Sequence, residues 1–116
     1  MLVLFMFTAC ASAQDRINEG ATVITDNMKA QLALNDSQYK KIHAINLDFL
    51  NQAVAIKKSG GGKADKATKI KLLDEARDAK VKPVLTAKQY ETYLAMKKEN
   101  RKKLKAYIKD KKAAND

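Results

Sequence analysis

The sequence is poor in the residues that build most chemical sites. Its 116 residues include one cysteine, one histidine, one proline, no tryptophan and four glycines, and aromatics make up only 6%. One cysteine forms no intrachain disulfide and no multi-thiolate metal site. Nucleophilic catalysis needs a base beside the nucleophile, and His43, the sole histidine, falls next to the apolar stripe of a helical pattern, where a partly buried surface role is expected. No catalytic residue, metal-ligand set or cofactor motif emerges, and the chain reads as a non-enzyme. Scarce glycine and proline, with abundant Ala, Lys, Leu and Gln, exclude sheet architectures and predict an all-α fold. Acidic residues are also the minority, 13 against 23 Lys and Arg, for a net charge of +10. A chain this short forms at most one small domain with a thin core, since roughly 30–40% of its unfolded surface stays wet after folding.

What the sequence does contain begins with an apolar run. Met1 to Ala9 reads MLVLFMFTA, and Ala11-Ser12-Ala13 follows as a small-x-small cleavage pattern, so residues 1–13 read as a signal peptide cut before Gln14. Residues 14–116 then form a single helical domain. Phe7-Thr8-Ala9-Cys10 also resembles a lipobox, which would make Cys10 a lipidated N-terminus. Under the first reading the mature chain has no cysteine. Export argues against nucleic acid as a partner in spite of the basic charge.

Four helices follow from apolar spacing. Ile17, Ala21, Ile24, Met28 and Leu32 form one stripe over about Asp15 to Ala33. Tyr39, Ile42, Ile45, Phe49, Ala53 and Ile56 form another over Asp36 to Lys58. Leu47, Leu50 and Val54 widen that second face, which means burial on two sides or an exposed apolar strip for binding, and part of it, around Ile42, Leu47, Phe49, Leu50 and Val54, is expected to pair two copies of the chain. Ser59-Gly60-Gly61-Gly62 breaks the helix and acts as a hinge; it lacks the preceding strand and the GK[ST] ending of a phosphate-binding loop. A third helix over about Ala64 to Val81 places Ala67, Ile70, Leu73, Ala76 and either Ala79 or Lys80 on one side and stops at Pro83. Asp74, Glu75 and Asp78 are interleaved with Lys71, Arg77 and Lys82, a pattern of ordinary surface ion pairs. The fourth helix starts near Ala87 and groups Tyr90, Tyr93, Leu94 and Met96.

Positive charge concentrates at the end of the chain. Residues 97–116 hold nine basic and three acidic side chains. Cations suit a helix C-terminus, but nine exceed what one helix end needs. Lys97, Lys98, Arg101, Lys102, Lys103 and Lys105 are therefore candidates for attracting anionic partners, with Leu47, Leu50 and Val54 as the apolar contact surface. On a membrane this arm could insert only Leu104, Tyr107 and Ile108, so lipid contact through it would be weak.

A repeat divides the chain. Leu34-Asn35-Asp36-Ser37-Gln38-Tyr39 and Leu85-Thr86-Ala87-Lys88-Gln89-Tyr90 share the pattern L-[NT]-x-x-Q-Y. Asn35 and Thr86 fit helix N-caps, Gln38 and Gln89 fit the third position of a capping box, and Leu before the cap with Tyr at the fourth position makes a hydrophobic staple.

With these motifs the chain resembles the Spy/CpxP family of periplasmic proteins, whose hallmark is LTxxQ. Leu85, Thr86 and Gln89 match it fully; Leu34 and Gln38 match, while Asn35 replaces Thr. The resemblance implies a long antiparallel helical hairpin that pairs into a thin, curved, cradle-like homodimer with a positively charged concave face. It also implies an ATP-independent chaperone for partly unfolded envelope proteins or, alternatively, a regulator that docks on the sensor domain of an envelope-stress kinase. The motif residues carry over as structural positions.

Overall fold

A computed structural model describes residues 2–99 and 102, with side chains from Gln14 to Glu99 and at Lys102. All regular structure among the described residues is helical: α1 (Leu2–Leu32), α2 (Asp36–Lys58), α3 (Lys63–Val81) and α4 over 87–99. The fold is all-α. α2 has the bounds its apolar spacing predicts. α1 starts at Leu2 rather than near Asp15, because no proline or glycine interrupts the chain before Gly20.

Each connection has a local cause. α1 ends where Ala33 turns left-handed, at φ 55°, the position helices commonly give to glycine. After α2 the Ser59 N–H donates to the carbonyls of Ala55 and Ile56, and Gly61 takes φ 118°. After α3 the Val84 and Leu85 N–H groups both donate to the Val81 carbonyl, so the chain reverses across Pro83. Consecutive helices therefore run antiparallel, α1 packing on α2 and α2 on α3. The two motif-bearing turns lie at one end and the glycine turn at the other. The molecule measures 50 × 41 × 26 Å.

The core sits at the motif end. Met28, Leu32, Leu34, Ile42, Val81, Leu85 and Tyr93 are buried in one cluster, with Ile24, Ile45, Val84, Tyr90 and Met96 packed against it. Leu34 and Leu85, the first residues of the two motifs, are both in it. Farther along, the α1–α2 contact changes character. Ala21, Thr25 and Asn46 are fully buried, the Thr25 hydroxyl donates to the Ala21 carbonyl (2.6 Å), and the Asn46 amide donates to the Thr25 hydroxyl (3.0 Å).

Two expectations about helix faces change. The wide face of α2 is shared between its neighbours. Leu50 approaches α1 so closely that a Cβ on Gly20 would lie 3.3 Å from its Cδ1, whereas Phe49 lies under the α3 guanidinium of Arg77, 4.1 Å from the ring centre. Leu47 and Val54, like Leu50, are half-buried. Part of that face is thus covered within one chain, through Leu50 and Phe49. On α3, Ala67, Ala76 and Ala79 are exposed, while Asp74, Arg77 and Asp78 turn inward beside Ile70, Leu73 and Val81. Alanines have little apolar area to lose, and the inward carboxylates gain Lys97 and Arg77 as partners, although the buried Arg77 Nε has no hydrogen-bond partner of its own among the described residues.

Candidate binding groove

The geometry of the site starts with a clasp between the two repeats. In the first, the Asn35 side chain accepts from the Gln38 N–H (2.8 Å), and the Gln38 side chain accepts from the Asn35 N–H (3.0 Å). In the second, Thr86 and Gln89 make the same reciprocal pair at 3.1 and 2.9 Å. The amide nitrogens left over then cross between repeats. Gln38 Nε2 donates to the Val84 carbonyl (3.1 Å) and to Gln89 Oε1 (2.8 Å); Gln89 Nε2 donates to the Leu32 carbonyl (3.1 Å). Each glutamine thus caps its own helix and binds the turn of the other hairpin. Each motif tyrosine also has a lysine over its ring, Lys29 above Tyr39 and Lys82 above Tyr90. Tyr90 packs on the core as the staple requires, whereas Tyr39 donates its hydroxyl to Asp26 (2.6 Å), a bond that raises its pKa.

One turn farther from the clasp, a charged cluster joins α3 to α4. Lys97 Nζ donates to Asp74 (2.6 Å) and to both oxygens of Asp78 (2.7 Å); Arg77 donates to Asp74 (2.7 Å); and the Tyr93 hydroxyl donates to Asp78 (2.8 Å). The side chains of Lys97, Asp74, Asp78 and Arg77 are only 14–20% exposed. Burial alone pushes the Asp74 carboxyl up, but the neighbouring Lys97 and Arg77 charges together outweigh it and hold the group below the ordinary carboxylate range. Burial, with the bond to Asp78 and against the pull of Arg77, pushes the Tyr93 hydroxyl well above the usual tyrosine range.

Beside this cluster a groove of about 350 Å³ lies between α1 and α4. Val23, Ile24 and Met28 of α1 form one wall, Tyr93 and Met96 of α4 the other, and Arg77 and Lys97 close it. Val23 is 62% exposed, an open apolar wall. A second groove, of about 570 Å³ and also lined by Lys97, is formed by Phe49, Ile70, Lys71 and the acidic groups of α3.

A family model described as "Domain of unknown function (DUF4890)" matches residues 11–93. The chain belongs to this family. No curated protein and no solved structure matches it. The span that defines DUF4890 here includes both capping motifs, the clasp and the α1 wall of the groove, and ends before Lys97.

In this DUF4890 chain the residues singled out from sequence fall into separate groups. Leu34, Asn35, Gln38, Leu85, Thr86 and Gln89 come together at the clasp. Leu47, Leu50 and Val54 line neither groove and are half-buried on α2. Lys97 is a correction: it is bound by two carboxylates within the fold, because Asp74 and Asp78 face inward and require a cation. Lys98 and Lys102 are exposed, while Arg101, Lys103 and Lys105 lie outside the described residues, as do Leu104, Tyr107 and Ile108. Sequence reading missed the groove wall of Val23, Ile24 and Met28. The stripe through Ile24 and Met28 was visible, but its assignment to a groove required knowing that Tyr93 and Met96 of α4 stand opposite it. His43 is half-buried and 3.1 Å from the Thr22 hydroxyl. No helix among the described residues is long and apolar enough to cross a membrane.

Proposed function

We propose that this DUF4890 chain is an exported, ATP-independent chaperone-like protein of the Spy/CpxP kind, which holds partly unfolded envelope proteins. The observation that carries this reading is the groove between α1 and α4, an apolar cleft lined by Val23, Ile24, Met28, Tyr93 and Met96, of which Val23 stands open to solvent, in a strongly basic protein. An unfolded chain offers apolar side chains with a mixed or negative charge. Cations on the surface, Lys98 and Lys102 among them, speed its encounter, and the groove retains it. A cleft of this size accepts one or two side chains at a time, which suits weak, sequence-tolerant holding better than recognition of one folded ligand. Pairing into a dimer belongs to the same reading.

The test is suppression of aggregation of a chemically reduced client, at low and high salt. The wild-type chain is expected to delay light scattering by the client, less so as salt shortens the Debye length from about 10 Å at 0.1 M to about 3 Å at 1 M. Val23→Asp, at an exposed wall position, is expected to reduce protection several-fold with an unchanged melting curve. Absence of protection by the wild-type chain at several-fold molar excess overturns the proposal. So does pull-down of one stoichiometric folded partner in place of many unrelated ones, the result a dedicated kinase regulator would give.

A further inference from the structure

The groove between α1 and α4 differs in its lining from an ordinary aliphatic cleft. Of the apolar side chains around it, Met28 and Met96 are thioethers and Tyr93 is an aromatic ring. Met28 and Tyr93 are the most buried of them, at 4% and 3% exposed, while Ile24 and Met96 are half-buried and Val23 and Asn27 stand at the open rim. The Met28 sulfur is also held in place. The buried Asn46 amide donates to it at 3.6 Å, so a side chain whose use in cores is its adaptability is fixed here before anything binds. Tyr93 already stacks on Tyr90, with ring centres 5.9 Å apart.

Charge does not select the occupant. Arg77 and Lys97 close the groove, but both are bonded to Asp74 and Lys97 to Asp78 as well, which leaves two cations against two carboxylates. An incoming anion would have to displace a partner already in place, and a charged group of either sign would leave water for no new counter-charge.

We infer that the groove is a site for one aromatic side chain at a time, displayed by a partly unfolded chain. This rests on the reading of the groove as the client-holding surface and narrows the client to segments that carry phenylalanine, tyrosine or tryptophan. Any apolar side chain gains from burial in proportion to its area. A ring gains more, because sulfur–ring contacts with Met28 and Met96 and a ring–ring contact with Tyr93 are closed to a saturated side chain of the same size. Together these contacts favour the aromatic occupant by about tenfold. The volume agrees: about 350 Å³ is roughly twice the ~150 Å³ of a cavity that binds benzene, room for one ring and the atoms that join it to a backbone.

Labelling the methionine methyl groups of the full chain with carbon-13 tests this, since four methionines give four signals that substitution assigns. The probes are N-acetylphenylalaninamide and its cyclohexylalanine counterpart, which match in size and differ in the π system. The Met28 and Met96 signals are expected to shift saturably with the aromatic probe. The cyclohexyl probe, read by its competition with the first, is expected to bind about tenfold more weakly. Met96→Leu keeps the apolar bulk and removes one sulfur; with Met28 as reporter and an unchanged melting curve, it is expected to cut that preference at least twofold. Equal affinity for the two probes overturns the inference. So does a shift confined to Met1 and Met6, or an unchanged preference in Met96→Leu. Tighter binding of the free carboxylate probes than of the amides also overturns it, because the cations would then be choosing. The readout needs no client, so the two readings fail separately: aggregation suppression without ring preference overturns this inference alone, and ring preference without suppression overturns the chaperone reading on which it rests.

Discussion

Gln38 and Gln89 each use a single amide for two tasks, the oxygen capping a local N–H and the nitrogen reaching a carbonyl of the opposite hairpin. Removing either leaves partly buried carbonyls without donors, and an unsatisfied buried polar group costs about 1–3 kcal/mol. Gln38→Ala and Gln89→Ala are each expected to destabilise by about 2 kcal/mol in urea unfolding. Because the two side chains bond each other at 2.8 Å, the double variant is expected to lose less than the sum. A cap-only residue such as Asn35 falls lower on the scale, about 1 kcal/mol for Asn35→Ala. Ala33 presents the opposite case: its left-handed backbone suits glycine, and Ala33→Gly is expected to raise stability by about 0.5–1 kcal/mol.

Acid and alkali act at the same scale through the cluster. Asp74 has a folded-state pKa below its unfolded value, so its contribution is present above the ordinary aspartate pKa of about 3.9 and is lost as pH falls through the lower folded value. Tyr93 has a raised folded-state pKa, so its contribution is complete below the ordinary tyrosine pKa of about 10 and is lost as pH rises above it. Chemical denaturation across pH is expected to show stability falling at both extremes. Asp74→Asn should flatten the acid limb and Tyr93→Phe the alkaline one.

At the scale of elements, α4 is attached by polar as well as apolar contacts. Lys97 reaches across to two carboxylates of α3, and truncating one member of a buried ion pair costs about 3–5 kcal/mol, less where side chains keep some exposure as here. Lys97→Gln is therefore expected to lower stability by about 2 kcal/mol. Lys98→Gln and Lys102→Gln, at exposed positions, should change it by less than about 0.5 kcal/mol. Thermal melts of the three variants check whether the basic stretch after Met96 divides into one structural lysine and a solvated remainder. At the other end, Gly61→Ala is expected to cost about 1 kcal/mol because of its φ of 118°, while Gly60→Ala and Gly62→Ala meet no neighbouring atom and should be neutral or slightly stabilising.

At the scale of the whole molecule, the positions of the helices and of their caps were legible in the chain itself. The 3.6-residue stripes through Ile17 to Leu32 and Tyr39 to Ile56, the Gly60–Gly62 break and the stop at Pro83 are local properties, set by backbone sterics and apolar spacing. The capping boxes at Asn35–Gln38 and Thr86–Gln89 are local too, since each closes within four residues. Only the tertiary structure decided what these parts face. Nothing in the spacing shows that the two glutamines, 51 residues apart, share a hydrogen bond. Nothing marks Asp74 and Asp78 as inward-facing, since a carboxylate is buried only where a cation arrives from elsewhere, and Lys97 arrives from α4. The groove has the same origin: Ile24 and Met28 belong to an ordinary helical stripe with Val23 beside it, and they become a wall only because Tyr93 and Met96 of α4 stand opposite. Periodicity is a property of neighbours in sequence, whereas burial, charge pairing and concavity are properties of neighbours in space.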